Sequence, residues 1–236
     1  LASGLGLAVL LGLGTWQLQR RAWKEDLIAR IAARTTAAPV DLAEAERQWS
    51  SERDIEYLRV TVTGQYVGGR DNYYFTTGSG GPGYHVYAPF RSAAGRTLLV
   101  NRGYIPAAQL PRNADTVVAR PAGDLTLVGL ARAAERTGFF SGAPPAEGRN
   151  GPWLTRDLAG MTAAAHIPGI VSAEQMEPFF LDLEPSGVDP KAYPQGGTTR
   201  LELPNRHLEY ALTWYGLAAL LVVMTTLYLR ARRRGA

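Results

Sequence analysis

The chain has 236 residues, 46% of them hydrophobic, no cysteine and a formal net charge of +4. The lack of cysteine excludes disulfides, thiol redox chemistry and thiolate metal sites. The basic excess is no signal for nucleic acid, because Arg230, Arg232, Arg233 and Arg234 at the end of the chain account for all of it.

Leu1 to Leu18 is uncharged and predicts a first transmembrane helix, residues 1–18. A cleaved signal peptide would need a site of small residues, whereas this run passes straight into Trp16-Gln17-Leu18 and then Arg20-Arg21. It opens without methionine, so a short native start is expected before Leu1. Residues 19–56 predict a helical juxtamembrane segment. Trp23, Leu27 and Ile31 recur at four-residue spacing, the stretch Thr35 to Val40 with Pro39 breaks the helix, and a second short helix covers Leu42 to Trp49.

From Tyr57 the period changes to two: Leu58, Val60 and Val62 share one face, Arg59, Thr61 and Thr63 the other. Further strands are predicted at Tyr73–Thr76, His85–Phe90, Thr97–Asn101, Leu125–Leu130, Phe179–Leu183 and Thr199–Leu203. One helix is predicted near Leu158 to His166, ending at Pro168-Gly169. Gly78 to Gly83 and Ala94-Gly95 read as turns, Pro144-Pro145 and Pro185 to Pro194 as irregular loops. Short strands without strand–helix alternation make residues 57–204 a mostly antiparallel β domain, α+β overall, resembling a small open barrel.

Residues 205–229 predict a second transmembrane helix with an outer extension. Ala211 to Leu229 holds 19 residues without a charge, about 28 Å of helix and close to a hydrocarbon core. Trp214 and Tyr215 lie at one end and Tyr228 at the other, where amphipathic rings favour the headgroups. Two spans put both termini on one side. The four arginines of the tail, residues 230–236, mark that side as cytoplasmic, so the middle domain is expected in the periplasm of a cell inner membrane. Arg20, Arg21 and Lys24 pull the other way, a charge that long translocated loops tolerate. The tail itself would lie against anionic membrane lipid.

No Gly-x-Ser-x-Gly, phosphate loop or His-Glu-x-x-His occurs, so an enzyme is not expected. His85, His166 and His207 lack zinc-site spacing, and no copper or zinc site is expected. His207 follows Pro204-Asn205, a helix start with Asn205 as cap, and precedes Tyr210 and Trp214 on the same helical face. A neutral imidazole can ligate iron through a ring nitrogen. The first helix reaches the same height with Trp16, Gln17, Arg20 and Arg21. If the helices pair, an aromatic slot lies under a histidine and is roofed by arginines, which suits an amphiphilic macrocycle with propionates on the arginines. Tryptophan, tyrosine and arginine at this depth are also ordinary interfacial anchors, and the residues alone leave both readings open.

One ordered set of residues runs nearly the length of the chain: Gly14-Thr15-Trp16-Gln17 with Gln19-Arg20-Arg21 and Trp23-Lys24, then Tyr57 in the first strand, Ala88-Pro89-Phe90, and Leu99-Val100-Asn101-Arg102-Gly103. Asn150, Trp153, Asp157 and Gly196-Gly197-x-Thr199-Arg200 follow. Last comes Asn205-x-His207-Leu208-x-Tyr210-Ala211-x-Thr213-Trp214-Tyr215-Gly216. In this set the chain resembles the Surfeit-locus cytochrome oxidase assembly family. The resemblance implies two spans, an extracytoplasmic domain and a non-enzymatic factor in heme-copper oxidase biogenesis. It implies transient binding of heme a with His207 as the axial ligand candidate. The implied partners are the oxidase catalytic subunit, with heme a synthase as a further candidate. The alternative is a membrane-anchored scaffold that stabilises an oxidase subunit without touching heme. Asn101, Arg102 and Gly103 are expected at the end of a strand, stabilising a turn or loop.

Overall fold

The computed structural model describes residues 2–78, 80–110, 118–135, 152–185, 192–199, 201 and 203–234. In chain order its elements are α1 (Ala2–Thr36), β1 (Val40–Asp41), α2 (Leu42–Glu52), β2 (Arg59–Tyr66), β3 (Asn72–Gly78), β4 (Gly81–Ser92), β5 (Thr97–Pro106), β6 (Leu125–Ala133), α3 (Leu158–Ala165), β7 (Met176–Leu183) and α4 (His207–Arg234). They form two compact units, Leu1–Ala33 with Leu201–Ala236, and Arg34–Arg200.

In the first unit α4 runs for 28 residues. Leu212, Leu220, Val223, Met224 and Leu227 are all exposed along it. Among the described residues it is the one helix long and apolar enough to cross a bilayer. The uncharged start of α1 is diluted by Gly4, Gly6, Gly12, Gly14, Thr15 and Gln17. The two helices touch where side chains are small. Gly14 is buried, and a methyl group on it would stand 2.8 Å from the Tyr215 ring. Ala211 and Ala218 are buried on α4, and Thr15 Oγ1 lies 3.1 Å from the Tyr215 hydroxyl. Helices with no water to expel associate through such close approach and interhelical hydrogen bonds.

In the second unit the strands close on themselves. β2 pairs with β6 and β6 with β7, both antiparallel, and β7 pairs with β5 in parallel. β4 then joins β5 to β2 through Gly64↔Ser92, Gln65↔Arg91 and Tyr66↔Phe90. The expected open barrel is therefore a closed five-stranded one. Closure follows from the length of β4, whose outer edge serves β3 over Gly81–Tyr87 and β2 over Phe90–Ser92. Gly64 allows the crossing, because a Cβ there would strike the Arg91 carbonyl. β1 adds to β2 in parallel.

Val60, Val62, Phe90, Leu98, Val100, Ala131, Phe179 and Leu181 fill the barrel, with Leu42 and Ala45 of α2 packed on them. Asp41 caps α2 by accepting from Glu44 N at 2.8 Å, and Arg53 ends it in the left-handed region at φ 56°. Leu99 and Phe180 point the opposite way and meet Met161, Ala165 and Ile167 around α3. Both faces of β5 are thus covered, which explains its unbroken burial from Thr97 to Ile105.

The strands outrun their sequence signals in places. Tyr57 lies outside β2, at φ 61°, with its ring 4.5 Å from the Arg132 guanidinium carbon. The Gly78–Gly83 run is largely strand, since Gly78↔Gly81 pair and the Tyr104 ring lies over Gly78 and Gly83; Ser79 lies outside the described residues. β5 continues through Asn101-Arg102-Gly103 to Pro106 instead of ending there. These residues form a β-bulge, because Asn101 pairs with Tyr87 and Tyr104 with His85. Thr199, Leu201 and Leu203 belong to no strand, with Arg200 and Glu202 between them outside the described residues. Asn150 and Pro144-Pro145 also fall outside.

Candidate functional site

At the start of α4, Asn205 Oδ1 accepts from His207 N at 3.4 Å, satisfying one of the N–H groups that a helix start leaves open. That fixes His207 in the first turn. Its Nδ1 lies 2.7 Å from Gln17 Oε1 on α1. Among the described residues no other side chain hydrogen-bonds the His207 ring, so Nε2 has no side-chain partner. The residue is half-buried, like Gln17 and Trp214, while Tyr210 at 54% exposure stands one turn beyond His207 on its outer flank.

The other predicted residues distribute around α1. Arg21 follows Gln17 by four residues, on the same face, and its Nε donates to Glu25 at 2.7 Å. Arg20 lies with its guanidinium carbon 4.3 Å from the Trp23 ring. Trp16 is 50% exposed. It stands about 200° round the helix from Gly14, by the 100° turn per residue, and so away from the packed face. His207, Gln17 and Trp214 are therefore the inward members of the set, Arg21 their neighbour, and Trp16 and Arg20 lie on the outer surface.

The second unit carries a cleft that sequence reasoning did not anticipate. It encloses about 780 Å³ and is lined by Tyr74, His85, Tyr87, Arg132, Arg156 and Asp182 among others. Asp182, almost wholly buried, accepts from Asn101 Nδ2 at 2.9 Å, Thr199 Oγ1 at 3.0 Å and Arg132 at 3.2 Å. Arg156 is held by Glu135 at 2.8 Å. His85 is stacked on Tyr74 and 3.1 Å from Thr198 Oγ1; burial pushes its pKa down, against the pull of the Asp182 charge. The arginines and carboxylates neutralise one another, so the cleft is polar without being charged. No local motif announces it, because its residues come from five separated strands and two loops. Among the described residues no cluster of three histidine or acidic side chains could hold a metal ion.

The sequence matches known proteins along most of its length. The model of the SURF1 family matches residues 5–219. Surfeit locus protein 1 of Takifugu rubripes is 34% identical over 229 residues, covering 90% of this chain and 89% of that one. The Homo sapiens protein of the same name is 34% identical over 226 residues, 88% of this chain and 70% of its own length. A SURF1-like protein of Rickettsia felis is 28% identical over 229 residues, 94% and 92% of the two chains.

Proposed function

The chain belongs to the SURF1 family, and from that premise we propose that it is an assembly factor for a heme-copper (cytochrome c) oxidase, holding heme a transiently on His207 and releasing it to the catalytic subunit. The single observation that carries the heme reading is His207 itself, at the apolar boundary of α4, with Nδ1 engaged and Nε2 without a side-chain partner among the described residues. The residues fit an amphiphilic macrocycle. One imidazole can bind iron, Trp214 and Tyr210 supply aromatic surface along the same face, and Arg21 on the Gln17 side and Arg20 on the outer surface supply cations for propionates. Trp16 sits at the same height and anchors α1 at the headgroups.

A lone protein ligand suits a carrier. With one protein ligand the receiving subunit would be free to supply its own, and one fewer fixed bond would speed release. The proposed placement is a cell inner membrane crossed by α4 and by the uncharged start of α1. Both termini would be cytoplasmic, beside the Arg230–Arg234 cluster, and the barrel periplasmic. In the same scheme residues 1–18 and 205–229 span, 19–56 form the juxtamembrane helices, 57–204 the outer domain and 230–236 the tail. The function is carriage without chemistry on the heme, and heme a synthase is the proposed source of the cargo.

The test is purification of the full-length protein from cells making heme a, followed by an absorption spectrum and heme extraction. The expected result is a stoichiometric heme that His207→Ala loses. A colourless protein at every level of heme a supply would favour the scaffold that holds an oxidase subunit without heme.

A further inference from the structure

Gln17 Oε1 faces His207 Nδ1 at 2.7 Å, and since an amide oxygen only accepts, the contact is a hydrogen bond when the hydrogen is on Nδ1. A neutral imidazole carries one N–H, and the lone pair is then on Nε2. We propose that Gln17 is the positioning residue of this site: it locks His207 in the Nδ1–H tautomer, so that Nε2 faces outward as the ligating nitrogen. The consequence for iron rests on the heme reading above, whereas the tautomer itself does not.

Three features support the role. Gln17 is half-buried on the side of α1 that carries Gly14, where the helices touch, so its amide is not free to range through water. The Gly14–Tyr215 contact and the Thr15–Tyr215 hydrogen bond lie within one turn of it and fix the two helices at that level. Histidines that bind metals are ordinarily oriented by a hydrogen-bond acceptor at the other nitrogen, which sets ring direction and raises basicity. Here the acceptor comes from the other helix, so the pairing of α1 with α4 itself prepares the ligand. Asn205, the near neighbour with an amide, is committed to the His207 backbone N–H.

The experiment is ¹⁵N NMR of the histidine side chains in the heme-free, full-length protein in nanodiscs at pH 8. The chain has three histidines, and subtraction of the His207→Gln spectrum identifies the signals of His207. The expected pattern is a protonated Nδ1 and an unprotonated Nε2. Gln17→Leu should convert the majority to the Nε2–H form and make hemin dissociate about 10-fold faster. Gln17→Glu, which keeps an acceptor, should retain the wild-type pattern and slow dissociation. An Nε2–H majority in the wild type, or an unchanged tautomer in Gln17→Leu, would overturn the proposal. The two readings fail separately. Retention of hemin by His207→Ala sinks the ligand reading alone, and an Nε2–H wild type whose hemin still depends on His207 sinks the tautomer alone.

Discussion

Asn101 on β5 donates from Nδ2 to Asp182 Oδ1 on the neighbouring strand β7 at 2.9 Å, and its own Oδ1 accepts from Gly103 N at 3.0 Å. One buried amide therefore ties the parallel pair β5–β7 to the bulge that follows it. Asn101→Ala would leave a buried carboxylate oxygen and a buried N–H without partners, at a cost of about 3 kcal/mol. Asp182→Ala in the same background should cost less than the two separate losses added, since they share one bond. Urea titration of the four proteins in detergent, followed by circular dichroism, measures the coupling; strict additivity would show the bond to be worth nothing.

Gly103 has φ +115°, and a Cβ on it would collide with the Gln195 carbonyl. The two segments meet there through paired backbone bonds, Tyr104 N to Gln195 O and Gln195 N to Tyr104 O, each 2.9 Å. Gly103→Ala must pay for the strained dihedral and break that bridge, so a loss of about 3 kcal/mol or more is expected. Gly95→Ala is the control: φ is +82°, yet nothing lies within 4 Å of its Cβ. Its smaller loss, about 1 kcal/mol, isolates the dihedral contribution. Equal losses at both positions would mean that the Gln195 contact is unimportant.

How much of this could be read beforehand depended on the reach of each signal. Val60 and Val62 alternate with polar neighbours inside one strand, and β2 was legible for that reason. Six of the seven predicted strands overlap observed ones, yet nothing local says that β4 reaches back to β2 and closes the barrel. Asn101-Arg102-Gly103 carries a glycine at the end of an apolar run, which reads as a strand terminus; only the partner strand reveals a bulge. At the site, His207, Tyr210 and Trp214 share a helical face and could be grouped from spacing. The Gln17 contact spans 190 positions, and the polar cleft draws on residues from 74 to 199, separations at which spacing carries no information.

At Gly14 α1 and α4 approach each other tightly, with the Tyr215 ring 2.8 Å from where its Cβ would be. Gly14→Val forces the ring or the helix aside, an overpacking cost of about 2 kcal/mol. Because Gln17 lies within one turn, hemin binding should weaken along with stability. Gly12→Val, with nothing within 4 Å of its Cβ, should leave both unchanged. Thermal unfolding in detergent and hemin titration compare the two; identical behaviour would mean that the helices do not meet at Gly14.

Glu177 on β7 is fully buried, with Arg96 Nε at 2.5 Å from its Oε1 and Glu46 Oε1 of α2 3.4 Å from the same nitrogen. Among the described residues no donor reaches its Oε2. Burial, followed by a hydrogen bond shared with Glu46, pushes the Glu177 carboxyl up to about 7, outweighing Arg96, which pulls it down. The protonated form is thus the one the fold prefers. Between the ordinary carboxylate range and pH 7 the native state binds more protons than the unfolded chain, so stability must fall as pH rises through that window. Below it the favourable contribution is complete, and above about 7 two carboxylates face one guanidinium. Glu177→Gln keeps the shape, supplies a neutral group and should flatten this part of the stability–pH curve. Glu46→Gln should lower the midpoint of the Glu177 titration by removing the competing charge. Urea midpoints measured from pH 5 to pH 8.5 decide the matter. A wild-type curve that rises or stays level across that interval would show that Glu177 is ionised throughout and that Arg96 alone governs it.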